Sequence, residues 1–149
     1  MIFTIGYERA TPKTLLEALK GVKVKTLIDV RELPASRRPG FSKKALSLAL
    51  AAEGIAYEHL RGLGTPKEGR EANKRGDMKT FWKIVDEQLA TAEAKADFER
   101  AKELMAHGTV CLLCLEADHE TCHRNRVAEK LRKATAEAVT HLHLEFPLP

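Results

Sequence analysis

The sequence predicts a single α/β domain over residues 1–149, built on a mostly parallel sheet of about four to five strands flanked by helices on both faces. Three observations carry this. Short apolar runs alternate with segments of helical period. The apolar runs are nearly continuous, as strands covered on both faces require. No linker, internal repeat or low-complexity tract divides the chain.

The elements follow in order. Phe3–Ile5 is a short strand candidate ended by Gly6. Thr11-Pro12 opens a helix, with a hydroxyl at the N-cap and proline at the first helical position. Leu15, Leu16 and Leu19 form its buried stripe, and Gly21 closes it. Val24–Val30 reads as a second strand, followed by the polar loop Arg31–Gly40 with two prolines. Ser42 is placed to cap the next helix, whose Leu46, Ala49 and Leu50 share a face before Gly54 terminates it. Ile55–Tyr57 adds a third strand candidate. Gly62–Gly76 is rich in Gly, Lys, Arg and Glu, has almost no apolar content, and is expected to be a long surface loop.

Helical period returns at Met78, Phe81, Trp82, Val85 and Leu89. Phe98, Ala101 and Met105 continue it in a further helix ending near Gly108. Then come strand Val110–Leu115, a bend at Glu116-Ala117-Asp118, helix Thr121–Ala134, strand Ala138–Leu144 and the proline-bearing tail Phe146–Pro149.

Composition narrows the function classes. Hydrophobic content of 44% with 31% charged residues is that of a soluble globular protein. No window approaches the roughly 20 apolar residues that span a bilayer, so no membrane association is expected. MIFTIGYER goes straight into strand-like sequence with no basic and apolar leader, and three cysteines form no closed disulfide framework. A cytoplasmic location is expected. The net charge of +4 is too small by itself to indicate nucleic acid or membrane. Locally, Arg31, Arg37, Arg38, Lys43 and Lys44 fall within fourteen residues, and Arg70, Lys74 and Arg75 form another basic group.

Chemistry concentrates in Val110–Arg126, VCLLCLEADHETCHRNR, which holds all three cysteines in seventeen positions. In a parallel sheet the strand ends line up along one edge. Here they are Gly6-Tyr7-Glu8-Arg9, Asp29-Val30-Arg31 and Cys114-Leu115-Glu116, each running from apolar to charged. Stepping back four residues from the core positions Val127 and Ala128 puts His123 and Arg124 on the inward face of the last helix. There its free N–H groups and dipole favour an anion.

Cys111 and Cys114 lie three apart on a strand and therefore face opposite sides, so Cys111 is read as core. Cys114 at the strand end and Cys122 at the helix start are able to approach. With His119, His123 and Glu116 they offer a zinc-like ligand set, although the spacing matches no common zinc motif. A thiol at a helix N-terminus beside His and Arg is also a candidate nucleophile with a depressed pKa.

TIGY at Thr4–Tyr7, LIDVRELPASR at Leu27–Arg37, Gly54–Tyr57, CLE at Cys114–Glu116 and CHR at Cys122–Arg124 resemble the domain of unknown function 488 family, in order and spacing across nearly the whole chain. The resemblance implies an α/β domain with the arginines, Cys-x-Glu and Cys-His-Arg gathered at one site, as in small bacterial and archaeal cytoplasmic proteins. Members more often carry His then Ser where this chain has Tyr7 and Glu8. They also tend to have proline where it has Asp118-His119.

The leading functional expectation is an enzyme or enzyme-like binder of a small anionic ligand or a nucleic-acid phosphate. Arg31, Arg37 and Arg124 would clamp the anion. Asp29 and Glu116 would orient them or act as acid/base groups, His123 would transfer protons, and Cys122 would serve as nucleophile or hydrogen-bond partner. This reading needs no cofactor. The second is a zinc-binding module using Cys114, Cys122, His119 or His123. The third is a nucleic-acid binder using the basic surface and Gly62–Gly76, for which an aromatic content of 5% offers few stacking platforms. Oligomeric state is not legible in the sequence.

Overall fold

Strands β1 (Ile2–Gly6), β2 (Thr26–Asp29), β3 (Ala56–His59), β4 (Val110–Cys114) and β5 (Val139–Leu142) pair in parallel in the order β3-β2-β4-β1-β5. The computed structural model describes residues 1–116 and 118–144. Ala117, in the expected bend, and the tail Phe146–Pro149 lie outside the described residues. The helices are α1 (Pro12–Gly21), α2 (Lys43–Ala52), α3 (Lys67–Lys74), α4 (Met78–Leu89), α5 (Ala92–Ala106) and α6 (His123–Thr135), with one-turn 3-10 helices at Arg61–Leu63 and His119–Thr121. No helix among the described residues is long and apolar enough to cross a membrane.

Alternation along the strands feeds two cores. Phe3, Ile5, Leu27, Cys111 and Leu113 face Leu15 and Leu19 of α1 and Leu46 and Leu50 of α2. Ile2, Ile28, Val110, Leu112 and Cys114 face Ala101 of α5 and Val127, Ala128 and Leu131 of α6. Cys111 and Cys114 thus lie on opposite faces, as a period of two requires. Each fully buried leucine or isoleucine contributes about 1.5–3 kcal/mol, so the two layers dominate the stability of the sheet. β4 lies between β1 and β2, whose exits lead into the opposite helical layer, and the connections therefore part above its C-terminal end.

The local reasons are mostly those of the sequence. Thr11 caps α1 through a box in which its Oγ1 accepts from Thr14 N at 3.1 Å and Thr14 Oγ1 accepts from Thr11 N at 2.9 Å. Gly54 leaves α2 at φ +72°, a conformation glycine adopts without a Cβ penalty. Ser42 departs from expectation. It precedes α2 but makes no cap bond; its Oγ accepts from Ser36 N at 3.0 Å and donates to Ser36 O at 3.2 Å, closing the Arg31–Gly40 loop on itself.

Gly62–Gly76 is not a surface loop. Gly62, Leu63, Gly64 and Thr65 are buried, and α3 follows with Gly69 and Ala72 on its inner face. A Cβ on Gly69 would lie 2.5 Å from Thr65 Cγ2 and 3.1 Å from Ile84 Cγ2. The helix docks through its smallest residues, so the segment needs almost no apolar side chains to be held. The last helix also begins later than its pattern suggests. Thr121 belongs to the 3-10 turn, Cys122 occupies the N-cap with extended backbone, and α6 opens on His123.

Candidate functional site

A cavity of about 530 Å³ opens at the C-terminal edge of the sheet. Tyr7 and Glu8 reach it from the exit of β1, Arg31 from that of β2, and Cys114, Leu115 and Glu116 from that of β4. His123 comes from the start of α6, and Arg70, Asn73 and Lys74 from one side of α3. Backbone bonds fix the edge: Tyr7 N donates to Cys114 O at 3.0 Å, Glu8 N to Leu115 O at 2.8 Å and Val30 N to Leu113 O at 3.1 Å. A second cavity, about 570 Å³ between α5 and α6, is lined by Leu89, Phe98, Val127 and the stems of Lys130 and Lys133, with no thiol, imidazole or buried acid among the described residues that line it.

The edge carries two separate polar clusters, one beneath each helical layer. On the α1–α2 side Asp29 and Arg31 form a buried bidentate pair, Nε to Oδ1 at 2.9 Å and Nη2 to Oδ2 at 2.7 Å. Arg31 Nη1 also donates to Phe41 O at 2.7 Å and Tyr7 OH at 3.3 Å. Asp29 further accepts from Arg31 N at 3.1 Å and Tyr57 OH at 2.6 Å. Burial opposes the charge on Arg31, but its bonds and attraction to Asp29 outweigh this and hold it above its ordinary value. Burial and the same carboxylate push the Tyr57 phenol up. Asp29, with four donors around it and no exposure, holds Arg31 in place, the orienting role expected of it.

The α6 side holds the thiols. His123 Nε2 lies 2.7 Å from Val30 O. A carbonyl only accepts, so this nitrogen carries the proton, and in the neutral ring Nδ1 presents its lone pair. Nδ1 faces Cys114 Sγ at 3.6 Å and Cys122 Sγ at 3.8 Å. Cys114 Sγ also lies 3.5 Å from Glu116 Oε2. Burial resists ionisation of Cys122, yet the Cys114 thiol, His123 and Arg124 together hold it well below its ordinary value. The bond to Cys122 and burial push Cys114 the opposite way. Burial would lower His123, but Cys122 and the Val30 carbonyl raise it. Burial, then Cys122, pushes Glu116 up to about 7.

Arg124 is not on the cavity wall. It is fully buried, donates from Nε to Thr4 Oγ1 at 3.2 Å and from Nη1 to the Glu116 carbonyl, and so braces the exit of β4 against β1. Arg37 is exposed and outside the wall; its neighbour Arg38 turns inward, bonding the carbonyls of Tyr7, Glu8 and Ala10 to hold the exit of β1. His119 stands apart from the thiols, stacked on His141 with centroids 3.8 Å apart. Among the described residues the group with metal-ligand proximity is Cys114, Cys122 and His123, whose ligand atoms all lie within 4.8 Å of one another. Of the basic group Arg70, Lys74 and Arg75, the first two reach the wall because the segment folds as α3 rather than as the expected surface loop.

Fold and site define a doubly wound α/β protein with a thiol–imidazole pocket at the carboxyl edge of its parallel sheet. The chain belongs to the family described as Domain of unknown function DUF488, which it matches over residues 11–131. No curated protein and no solved structure matches it.

Proposed function

We propose that the cavity is the ligand site of an enzyme whose small ligand carries a phosphate or carboxylate. Arg70 and Lys74 meet the anion at the mouth, and Cys114, Glu116 and His123 face its reacting part. The observation that supports this most is the meeting in one cavity of Lys74 and Arg70, the latter paired with Glu32 at 2.9 Å on the same wall, with sulfur, carboxyl and imidazole groups from two other elements. Arg31 adds to it. Among the described residues, four of its five N–H groups are held by Asp29, Phe41 and Tyr7, which leaves one on Nη2 for a ligand. Exposed Leu33 and Leu115 flank the opening and give an apolar part of the ligand something to cover.

The test is a thermal-shift screen of nucleoside phosphates, sugar phosphates and small carboxylates, followed by titration of the strongest compound. Charged hydrogen bonds are worth about 1.5–3 kcal/mol, so Arg70→Ala with Lys74→Ala weakens binding by roughly tenfold or more. Arg37→Ala, outside the wall, leaves it unchanged. A screen with no shift, or a shift that survives the double substitution, overturns the reading.

A further inference from the structure

The floor of the cavity has a geometry that acid–base chemistry alone does not require. Zn–S bonds of about 2.3 Å and Zn–N bonds of about 2.0–2.1 Å at tetrahedral angles put sulfur and nitrogen about 3.5–3.6 Å apart. The two Sγ···Nδ1 separations are 3.6 and 3.8 Å, and the three donor atoms lie within 4.8 Å of one another. The two sulfur–nitrogen separations need contract by about 0.3 Å at most, and the two sulfurs, within 4.8 Å of each other, close by up to about 1 Å to the roughly 3.8 Å of two thiolates on one tetrahedral ion.

The imidazole is set for this role. Its Nε2–H is held by Val30 O at 2.7 Å, the outer bond that fixes the tautomer and orientation of metal-ligating histidines. Its Nδ1 faces both sulfurs. A Cys114–Cys122 disulfide would leave that nitrogen a buried acceptor facing sulfurs with no hydrogen to give. Charge agrees as well. Two thiolates and a neutral imidazole offset a divalent cation, leaving a neutral centre where Cys122 is fully buried and Cys114 nearly so.

We infer that Cys114, Cys122 and His123 form a three-ligand site for a thiophilic divalent metal of the zinc class, with its fourth position open to the cavity. Cys114 and His123 line the cavity and Cys122 lies behind them, so the remaining position points where a ligand enters. Glu116, 3.5 Å from Cys114 Sγ, stands beside that position. Three protein ligands and an open fourth is the pattern of catalytic rather than structural zinc. The inference rests on reading the cavity as a site and names the group at its floor.

The experiment uses the full chain without an affinity tag, reduced, stripped with a chelator and titrated anaerobically with cobalt(II). The expected result is saturation at one equivalent, with the intense visible bands of tetrahedral cobalt and a sulfur-to-metal charge-transfer band, both erased by zinc. Cys114→Ser and Cys122→Ser each lower the charge-transfer intensity, and His123→Gln weakens binding with both thiolates kept. Circular dichroism establishes that each variant is folded; if one is not, wild-type stoichiometry and a zinc-dependent rise in melting temperature decide. Weak octahedral bands, saturation well below one equivalent, or a Cys114–Cys122 disulfide found by mass in freshly purified protein overturns the inference. Failure here with the anion-dependent thermal shift intact leaves the ligand pocket standing. Metal binding with no such shift does the reverse.

Discussion

His123 Nε2 is hydrogen-bonded to the carbonyl oxygen of Val30 at 2.7 Å, joining residues ninety-three positions apart in the chain. The bond ties the first residue of α6 to the exit of β2, one residue from both Asp29 and Arg31. Val30 packs its side chain into the core beneath α6 while its neighbours build the ion pair under α1 and α2. The two polar clusters therefore share a backbone segment. Val30 is the common anchor of the two.

That shared anchor makes the Asp29–Arg31 pair a support whose loss should be large. Asp29→Asn keeps the shape but leaves the Arg31 guanidinium buried against a neutral amide. Removing one partner of a buried pair costs about 3–5 kcal/mol. Urea denaturation should show that loss. Asp29→Leu combined with Arg31→Met should recover much of it, because no uncompensated charge remains. Equal destabilisation by the single and double changes would show that the pair is not what holds this edge.

Much of the sheet is legible because its strands are continuous apolar runs and Thr11-Pro12 and Gly54 punctuate the helices by local chemistry. The convergence of Tyr7, Arg31 and Cys114 follows from parallel topology alone. Which of the charged residues face the cavity does not. Arg37 and Arg38 are equivalent by composition, and only the path of the Arg31–Gly40 loop turns Arg38 inward. Arg124 lies on the expected face, but depth places it behind the wall, where its donors serve Thr4 and the Glu116 carbonyl. The split of the reactive groups into two clusters depends on which side of the sheet each exit leaves, which strand order decides.

The docked state of α3 gives a substitution whose sign is informative. In a free helix or a surface loop, Gly69→Ala would be neutral or would stabilise by about 0.5–1 kcal/mol, since alanine loses less chain entropy. Here the new methyl meets Thr65 Cγ2 at 2.5 Å, and Thr65 is itself buried. Overpacking of this kind costs about 1–3 kcal/mol. A fall in the urea midpoint is expected, with no change for Glu71→Ala on the exposed side of the same helix. A rise for Gly69→Ala would mean that α3 is not packed as described.

His141 sets an acid limit on stability. It lies on β5, stacked on His119, with Nδ1 2.5 Å from Thr4 Oγ1. Burial, then the facing charges of His119, Arg124 and His143, push it down to about 4, with Glu129 on α6 acting weakly the other way. An unfolded histidine takes its proton near 6.5. Between the two values the unfolded chain binds more protons, so the contribution is fully present above about pH 6.5 and is lost as pH falls toward 4. Urea midpoints measured across that interval should fall more steeply for the wild type than for His141→Gln, and the His141 ring resonances should titrate near pH 4. Parallel curves for the two proteins, or a ring titrating near 6.5, would show that β5 does not hold this imidazole neutral.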